Sequence, residues 1–370
     1  MPNLLKIVDL ISEKIKKDYC DDIAIAAYYG SYATGTFNEK SDIDIFFIPK
    51  TARGWEMGDC FLLGDIGIDF FPISWERVGR ISEFDKSIVS VIADCKVFFS
   101  SSSIDLAKFQ AFQEKIQNYL LPENKLSLLK KATDKFQKAF KLIYRMEKTT
   151  DKNDSSFIKY VYDFLTILFE VYALINQRYF KSGWGKNLKE LFNFDKLPDG
   201  FENIIKNILE LKDKQKTITL CKSLIEETEE ILKEETKQFF KPKKAEEVFS
   251  GYYEEIKSTF NKINVACDND DYELAFFAAS NLQIEMTKLM GLQATSFWDP
   301  PAFDYSSLEV FSAAQKLPDI LSYLDSNNLK ELREAVSELE NIFVSYLKQN
   351  GITLKKFESI ESYQQYLELK

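Results

Sequence analysis

The amino-acid sequence predicts an α+β protein, with a small mixed-sheet domain at the N-terminus followed by a large all-helical C-terminal region. Short apolar runs typical of buried strands fall within the first 105 residues. After them, apolar residues recur at helical spacing almost to the C-terminus. The serine run Ser100–Ser103 separates the two patterns, and because such a run cannot pack a core it marks a domain boundary.

The N-terminal domain is predicted to span residues 1–105. An apolar stripe indicates a first helix, and Ser74 is suited to cap a second helix that runs from about Ser74 to Ala93. Residues 51–64 contain glycine and show no clear period, so they are expected to form a connection. The first helix is predicted over residues 4–17, and the strands over 23–29, 43–48, 65–73 and 96–99.

The helical region is expected to form two bundles, 106–240 and 241–370. They are divided at Lys241-Pro242-Lys243-Lys244, where a proline within a charged segment interrupts the helical pattern. The longest predicted helices cover residues 104–119, 123–148, 155–181, 218–240, 245–267, 271–290 and 328–349.

The chemistry-bearing pattern lies between the first two predicted strands. Gly30-Ser31 follows one strand, and Asp42 and Asp44 stand at the start of the next. Residues two apart on a strand face the same way, so the two carboxylates lie side by side and repel each other. A hard divalent cation such as Mg²⁺ relieves that repulsion, while glycine and a hydroxyl at a helix start can accommodate phosphate oxygens. The pattern therefore indicates phosphoryl or nucleotidyl chemistry.

The segment Gly30-Ser31-Tyr32-Ala33-Thr34-Gly35, followed by Ser41-Asp42-Ile43-Asp44, resembles the signature of the polymerase-β-like nucleotidyltransferase superfamily. The nearest resemblance is to its bacterial aminoglycoside, lincosamide and minimal nucleotidyltransferases. That family needs a third carboxylate on a later strand, and Asp69 fits because it is a single acid within an apolar run. Thr34 departs from the family pattern, since a basic residue is common at that place.

The resemblance implies that residues 1–105 form the catalytic domain and that 106–240 bind the acceptor. Gly30 and Ser31 would bind the nucleotide. Two Mg²⁺ ions would be held by the proposed catalytic residues Asp42, Asp44 and Asp69. The implied reaction moves a nucleoside monophosphate, by default AMP from ATP, to an acceptor hydroxyl and releases pyrophosphate. The proton acceptor is left open between Asp69 and Glu170.

A polar line on the predicted helix 155–181 gives a candidate acceptor site. Asp163, Glu170 and Gln177 recur every seven residues on an otherwise apolar helix. Either this line is a solvent edge or pairs with a basic neighbour such as Arg145, or it faces the cleft and binds the acceptor. Relatives that modify antibiotics supply an acceptor-side carboxylate from a helical domain, which favours Asp163 and Glu170 for that role.

Composition limits the partners. The formal net charge of −10 disfavours a nucleic-acid partner and favours a cationic small molecule, because phosphate backbones are bound mostly by Lys and Arg. The absence of histidine excludes imidazole catalysis and Cys/His zinc sites. An odd number of scattered cysteines, five, indicates free thiols in the cytoplasm, and we expect no signal peptide or membrane span. A homodimer is left open.

Three functions remain in view. The first is an enzyme that modifies a small-molecule acceptor such as an aminoglycoside-like antibiotic, which would confer antibiotic resistance. The second is an antitoxin-like enzyme that adenylylates a partner protein. The third is a non-catalytic protein that retains the nucleotide site for binding alone. The long helical region favours a dedicated small-molecule pocket, and the complete set of carboxylates disfavours the non-catalytic alternative.

Overall fold

The computed structural model describes residues 4–38, 41–86, 88–183 and 185–370. The chain divides into two compact units, Met1–Glu235 and Thr236–Lys370. The first unit contains the predicted sheet domain followed by helices, and the second is helical, which confirms the α+β fold class. The three predicted domains, 1–105, 106–240 and 241–370, remain a prediction.

The sheet of the first unit has five strands, which are β1 (Ile23–Tyr29), β2 (Asp44–Pro49), β3 (Asp59–Leu63), β4 (Ile66–Pro72) and β5 (Lys96–Ser100). Their order in the sheet is β3-β4-β2-β1-β5. All neighbouring pairs are antiparallel except β2 and β4, which are parallel, so the sheet is mixed.

The helices of the first unit follow and interrupt these strands. They are α1 (Leu5–Asp18), α2 (Ser31–Thr34), α3 (Ala52–Trp55), α4 (Trp75–Ser82), α5 (Ser90–Ala93), α6 (Ser103–Tyr119), α7 (Lys125–Lys148), α8 (Ser155–Ile175), α9 (Leu188–Leu191), α10 (Phe201–Leu209) and α11 (Lys214–Lys237), the last of which ends just past the unit boundary.

Side chains alternate between the two faces of the sheet along β2, and each face packs against different helices. Ile43 and Ile45 are fully buried in a core that also contains α1, as the sequence predicts. On the opposite face, the ring of Phe46 lies 6.2 Å from that of Phe109 on α6. Asp44 shares the parity of Phe46, so its carboxylate is on the α6 face of the sheet.

Two predictions about the sheet domain are wrong. The connection 51–64 contains a strand, β3, whose side chains are all exposed and therefore show no hydrophobic alternation. The helix predicted over Ser74–Ala93 is two short helices, α4 and α5. It ends after Ser82 because Phe84 takes a left-handed φ of 60°.

The helices α7 and α8 form the central packed pair of the region after the sheet. α8 buries most of its apolar side chains, and the Tyr172 hydroxyl is within hydrogen-bonding distance of Thr228 on α11, at 2.5 Å. α8 ends at Ile175 rather than at residue 181, since Gln177 has a φ of +50° and its amide donates to the Leu121 carbonyl at 2.7 Å.

The helices of the second unit are α12 (Ala245–Phe249), α13 (Tyr252–Asp268), α14 (Tyr272–Thr295), α15 (Tyr305–Ala314), α16 (Lys330–Gln349) and α17 (Ile360–Glu368). This unit is built on one apolar core around α13, α14 and α16. A buried amide fixes a turn to this core, because Gln283 Oε1 accepts a hydrogen bond from the backbone N–H of Ile320 at 3.1 Å.

Within the described ranges, no helix combines the length and apolarity needed to cross a bilayer.

Candidate active site

Strand pairing brings two of the three predicted acids together. Asp44 is the first residue of β2, and its partner in the parallel register is Asp69 on β4. Asp44 is half-buried, whereas Asp69 is exposed. Asp42 lies two residues before β2 and is also exposed. The charges of Asp42 and Asp69 both act on Asp44, so the three carboxylates form one electrostatic group.

The ionisation of Asp44 reflects this crowding. Burial, followed by the negative charges of Asp42 and Asp69, raises the pKa of Asp44 to about 6. A hydrogen bond from the Tyr29 side chain acts in the opposite direction and favours the ionised carboxylate. Asp44 is therefore a carboxylate whose charge is poorly compensated by protein groups.

Gly30 stands against this carboxylate and could not carry a side chain. Its φ of 71° and ψ of −149° lie in a region that is open essentially only to glycine. A Cβ built on Gly30 would lie 2.8 Å from Asp44 Oδ2. The glycine thus brings the backbone that precedes α2 directly against the acid.

A short helix follows Gly30 and is closed by its own threonine. The backbone N–H groups of Ala33 and Thr34 both donate to the Gly30 carbonyl at 3.1 Å. The Thr34 hydroxyl is 3.2 Å from the same carbonyl, so it supports the turn. Ser31, the first residue of the helix, is half-buried, and no described contact occupies its hydroxyl.

Tyr29 is a site residue that the sequence reasoning missed. It is the β1 partner of Asp44 in the antiparallel register, and its hydroxyl bonds to that carboxylate. Burial and the charge of Asp44 raise the pKa of Tyr29, which keeps the phenol protonated and able to donate. Its ring contacts Phe46 and Phe71, which fixes its position. Its place at the end of a strand, directly before Gly30, was the available signal.

The two acceptor-side candidates, Asp163 and Glu170, have different surroundings in the structure. Asp163 is exposed on α8. Glu170 is half-buried and forms an ion pair with Lys135 of α7 at 2.8 Å. Glu170 also lines a cavity of about 20 Å³, a volume that holds about one water molecule. The cavity has apolar walls and three cationic side chains, those of Lys86, Lys135 and Arg178.

The basic partner of Glu170 is thus Lys135, while the guanidinium of Arg145 lies 5.7 Å from the centre of the Tyr160 ring. Gln177 does not extend the polar line of α8, because it lies beyond the end of that helix.

The donor chemistry of the acids fits a hard divalent cation, since three carboxylates repel one another around Asp44. Across residues 4–38, 41–86, 88–183 and 185–370, however, no three histidine, cysteine or carboxylate side chains stand close enough together to hold a metal ion. The structure places Asp44 and Asp69 side by side on the paired strands β2 and β4, and the two-ion centre with Asp42 stays a prediction.

Comparison with known proteins agrees with this arrangement. Residues 8–120 match the family model of the nucleotidyltransferase domain. Residues 130–238 match that of the KNTase C-terminal domain, which belongs to the kanamycin nucleotidyltransferase type. Gly30, Asp42, Asp44 and Asp69 lie in the first match, and Asp163 and Glu170 lie in the second.

Among solved structures, the chain is similar to a nucleotidyltransferase-like protein from Exiguobacterium sibiricum 255-15. The two share 11% sequence identity and a TM-score of 0.35, over 68% of this chain and 87% of that chain. A likeness this weak supports no conclusion about the fold or the function. No curated protein is similar enough to match.

Proposed function

This nucleotidyltransferase belongs to the polymerase-β-like superfamily, in its aminoglycoside nucleotidyltransferase type, and we propose that it transfers a nucleoside monophosphate from ATP to a hydroxyl of a small molecule. The observation that supports the proposal is the close approach of Gly30 to Asp44. A Cβ added to Gly30 would lie 2.8 Å from Asp44 Oδ2, so the turn that we assign to phosphate binding passes next to a poorly compensated carboxylate, and Asp69 stands beside Asp44 on the neighbouring strand.

Each residue of the site has a role that follows from its position. Gly30 keeps the space in front of Asp44 open for a triphosphate oxygen, and Ser31 offers a hydroxyl and a backbone N–H at the start of α2. Asp42, Asp44 and Asp69 would hold Mg²⁺, which when bound neutralises the triphosphate and activates the acceptor hydroxyl. Tyr29 donates to Asp44 and keeps that carboxylate oriented.

The proton of the acceptor hydroxyl needs a base, and the chain contains no histidine. Asp69 is exposed and adjacent to Asp44, so it is the group best placed to accept the proton. Glu170 is already engaged by Lys135, which argues for a positioning role on the acceptor side. Most of the rate acceleration would come from positioning and charge neutralisation around the α-phosphorus.

The acceptor is proposed to be a small molecule, with an aminoglycoside-like compound as the first candidate because the chain is acidic. Three cationic side chains, those of Lys86, Lys135 and Arg178, line the same cavity as Glu170. Anionic and neutral acceptors should therefore be tested as well as aminoglycosides. Adenylylation of a partner protein is the second candidate. The exposure of Asp69 favours this second candidate, because an acceptor as large as a protein could reach an open site.

The proposal is tested by pyrophosphate release with ATP and Mg²⁺ against a panel of aminoglycosides, neutral polyols and phosphorylated sugars. Asp42→Asn and Asp44→Asn are expected to abolish the release, because each removes a charge that would face the cation. Asp9→Asn is the matched control, since it removes one exposed carboxylate from α1, outside the proposed site. Normal turnover in Asp42→Asn or Asp44→Asn would end the proposal, and ATP binding without turnover on any acceptor would favour a binding protein.

A further inference from the structure

A polar groove lies on the first unit, and none of its lining residues belongs to the carboxylate site. It has a volume of about 380 Å³. Its walls come from the start of α4 and from the segment after it, and its lining residues are Ser74, Glu76, Arg77, Arg80, Lys86 and Ile88. The volume falls within the range of about 300–1,000 Å³ that is usual for small-molecule sites.

The groove carries a local excess of positive charge in an acidic protein. Three of its side chains, Arg77, Arg80 and Lys86, are cationic, and Glu76 is its one carboxylate. All three cations are exposed, and none forms an ion pair with any residue that the structure describes. Glu76 and Arg80 are four residues apart on α4, a spacing that permits an ion pair, yet they do not form one.

The acids nearest in sequence are engaged by other lysines. Glu83 pairs with Lys115 of α6, and Lys131 of α7 lies 3.6 Å from both Glu83 and Asp85. These contacts neutralise the two carboxylates that could otherwise have compensated the arginines. The positive charge of the groove is therefore left for a ligand.

The donors of the groove suit phosphate geometry. Arg77 and Arg80 are three residues apart on α4, so their guanidinium groups project from neighbouring positions on one helix face. A guanidinium presents a planar fork of N–H donors that matches a phosphate or carboxylate. The N-terminus of α4, capped by Ser74 Oγ at 3.1 Å from the Arg77 backbone nitrogen, adds a favourable dipole for an anion.

We propose that this groove binds a phosphate-bearing small molecule through Arg77, Arg80 and Lys86. A polymer is disfavoured, because a nucleic acid needs a long basic track and the chain carries a net charge of −10. The site is defined without reference to the catalytic carboxylates, so it stands or falls independently of the proposed nucleotidyl transfer.

The test is a calorimetric titration of the full chain with inorganic pyrophosphate in the presence of a chelator. Without a divalent cation, the acids around Asp44 repel the probe, so binding reports on the groove. We expect saturable binding that weakens with added salt and falls at least about tenfold in Arg77→Gln/Arg80→Gln, because two charge-assisted contacts are removed. Arg77→Lys/Arg80→Lys, which keeps both charges but loses the planar forks, is expected to bind with an affinity between those of the wild type and the glutamine double variant.

A matched control removes the same charge elsewhere. Lys138→Gln/Lys141→Gln changes two exposed lysines of α7 that do not line the groove. We expect it to leave pyrophosphate affinity within about twofold of the wild type, since neither lysine lines the groove and salt screens exposed charges. The proposal is overturned if the wild type binds no pyrophosphate at millimolar concentration, if the arginine double variant binds normally, or if the control loses as much affinity. Thermal unfolding verifies that each variant is folded.

Discussion

Replacement of Gly30 by alanine is expected to have two effects, strain in the backbone and displacement of the Asp44 carboxylate. Gly30→Ala places a methyl group where φ is +71°, which costs about 1–3 kcal/mol of folding free energy. The same methyl would stand 2.8 Å from Asp44 Oδ2, well inside van der Waals contact, so the carboxylate must move away. A displacement of about 1 Å in a catalytic group can reduce the rate by about 100-fold.

Gly64→Ala provides the matched control for strain alone. Gly64 also has a left-handed φ, +62°, but an added Cβ there would meet nothing within 4 Å. We expect a comparable loss of stability, about 1–2 kcal/mol, with unchanged turnover. Gly30→Ala should lose the same order of stability and nearly all activity.

Two measurements on the same preparations decide the matter: the free energy of unfolding from urea titration, and the rate of Mg²⁺-dependent pyrophosphate release. Near-normal turnover in Gly30→Ala would refute the reasoning, because it would mean that the position of Asp44 does not matter. Equal loss of activity in Gly64→Ala would also refute it, since strain alone would then explain the effect.

Three further predictions follow from other contacts. Tyr29→Phe removes the hydroxyl that donates to Asp44 and should lower turnover by about tenfold, whereas Tyr28→Phe on the same strand should not; equal rates in the two variants would show that the hydrogen bond has no catalytic role. A double-mutant cycle on Lys135→Met and Glu170→Gln, followed by urea unfolding, should give a coupling of about 1 kcal/mol for their partly buried ion pair, and strict additivity would contradict that pairing. Burial opposes ionisation of Glu235, but the bonds of its carboxylate to Lys125 and Lys196 outweigh this and hold the pKa of Glu235 below its usual 4.5. The ionised carboxylate therefore stabilises the fold above pH 4.5, and this stabilisation is lost as the pH falls through the pKa of Glu235 in the folded protein. Glu235→Gln should flatten the pH dependence of stability in that acid range, and an unchanged profile would count against the assignment.

Much of the sheet domain is predictable because its strands carry period-two or continuous apolar patterns. The strands around Ile25, Phe46, Phe70 and Phe99 are confirmed, and so is the packing of Ile45 on the face opposite Asp44. β3 is not predictable in this way, because all its side chains are exposed and no face of it is distinguished by burial. Helix ends set by positive φ at non-glycine residues also leave no local sequence signal.

The site shows the same division between local and tertiary information. Strand parity predicts that Asp44 faces away from the α1 core, and the parallel register then places Asp69 beside it. The hydroxyl of Tyr29 reaches Asp44 only because β1 and β2 pair in one register, which a linear pattern does not encode. The partner of Glu170 depends on how α7 packs on α8, so the choice of Lys135 could not be read from spacing along α8.

The most direct test of the central claim is a crystal structure of the protein with Mn²⁺ and a non-hydrolysable ATP analogue. The account predicts anomalous density for the cation among Asp42, Asp44 and Asp69, with triphosphate oxygens against the Gly30–Ser31 backbone. A nucleotide bound elsewhere, or no cation beside Asp44 at saturating Mn²⁺, would contradict it.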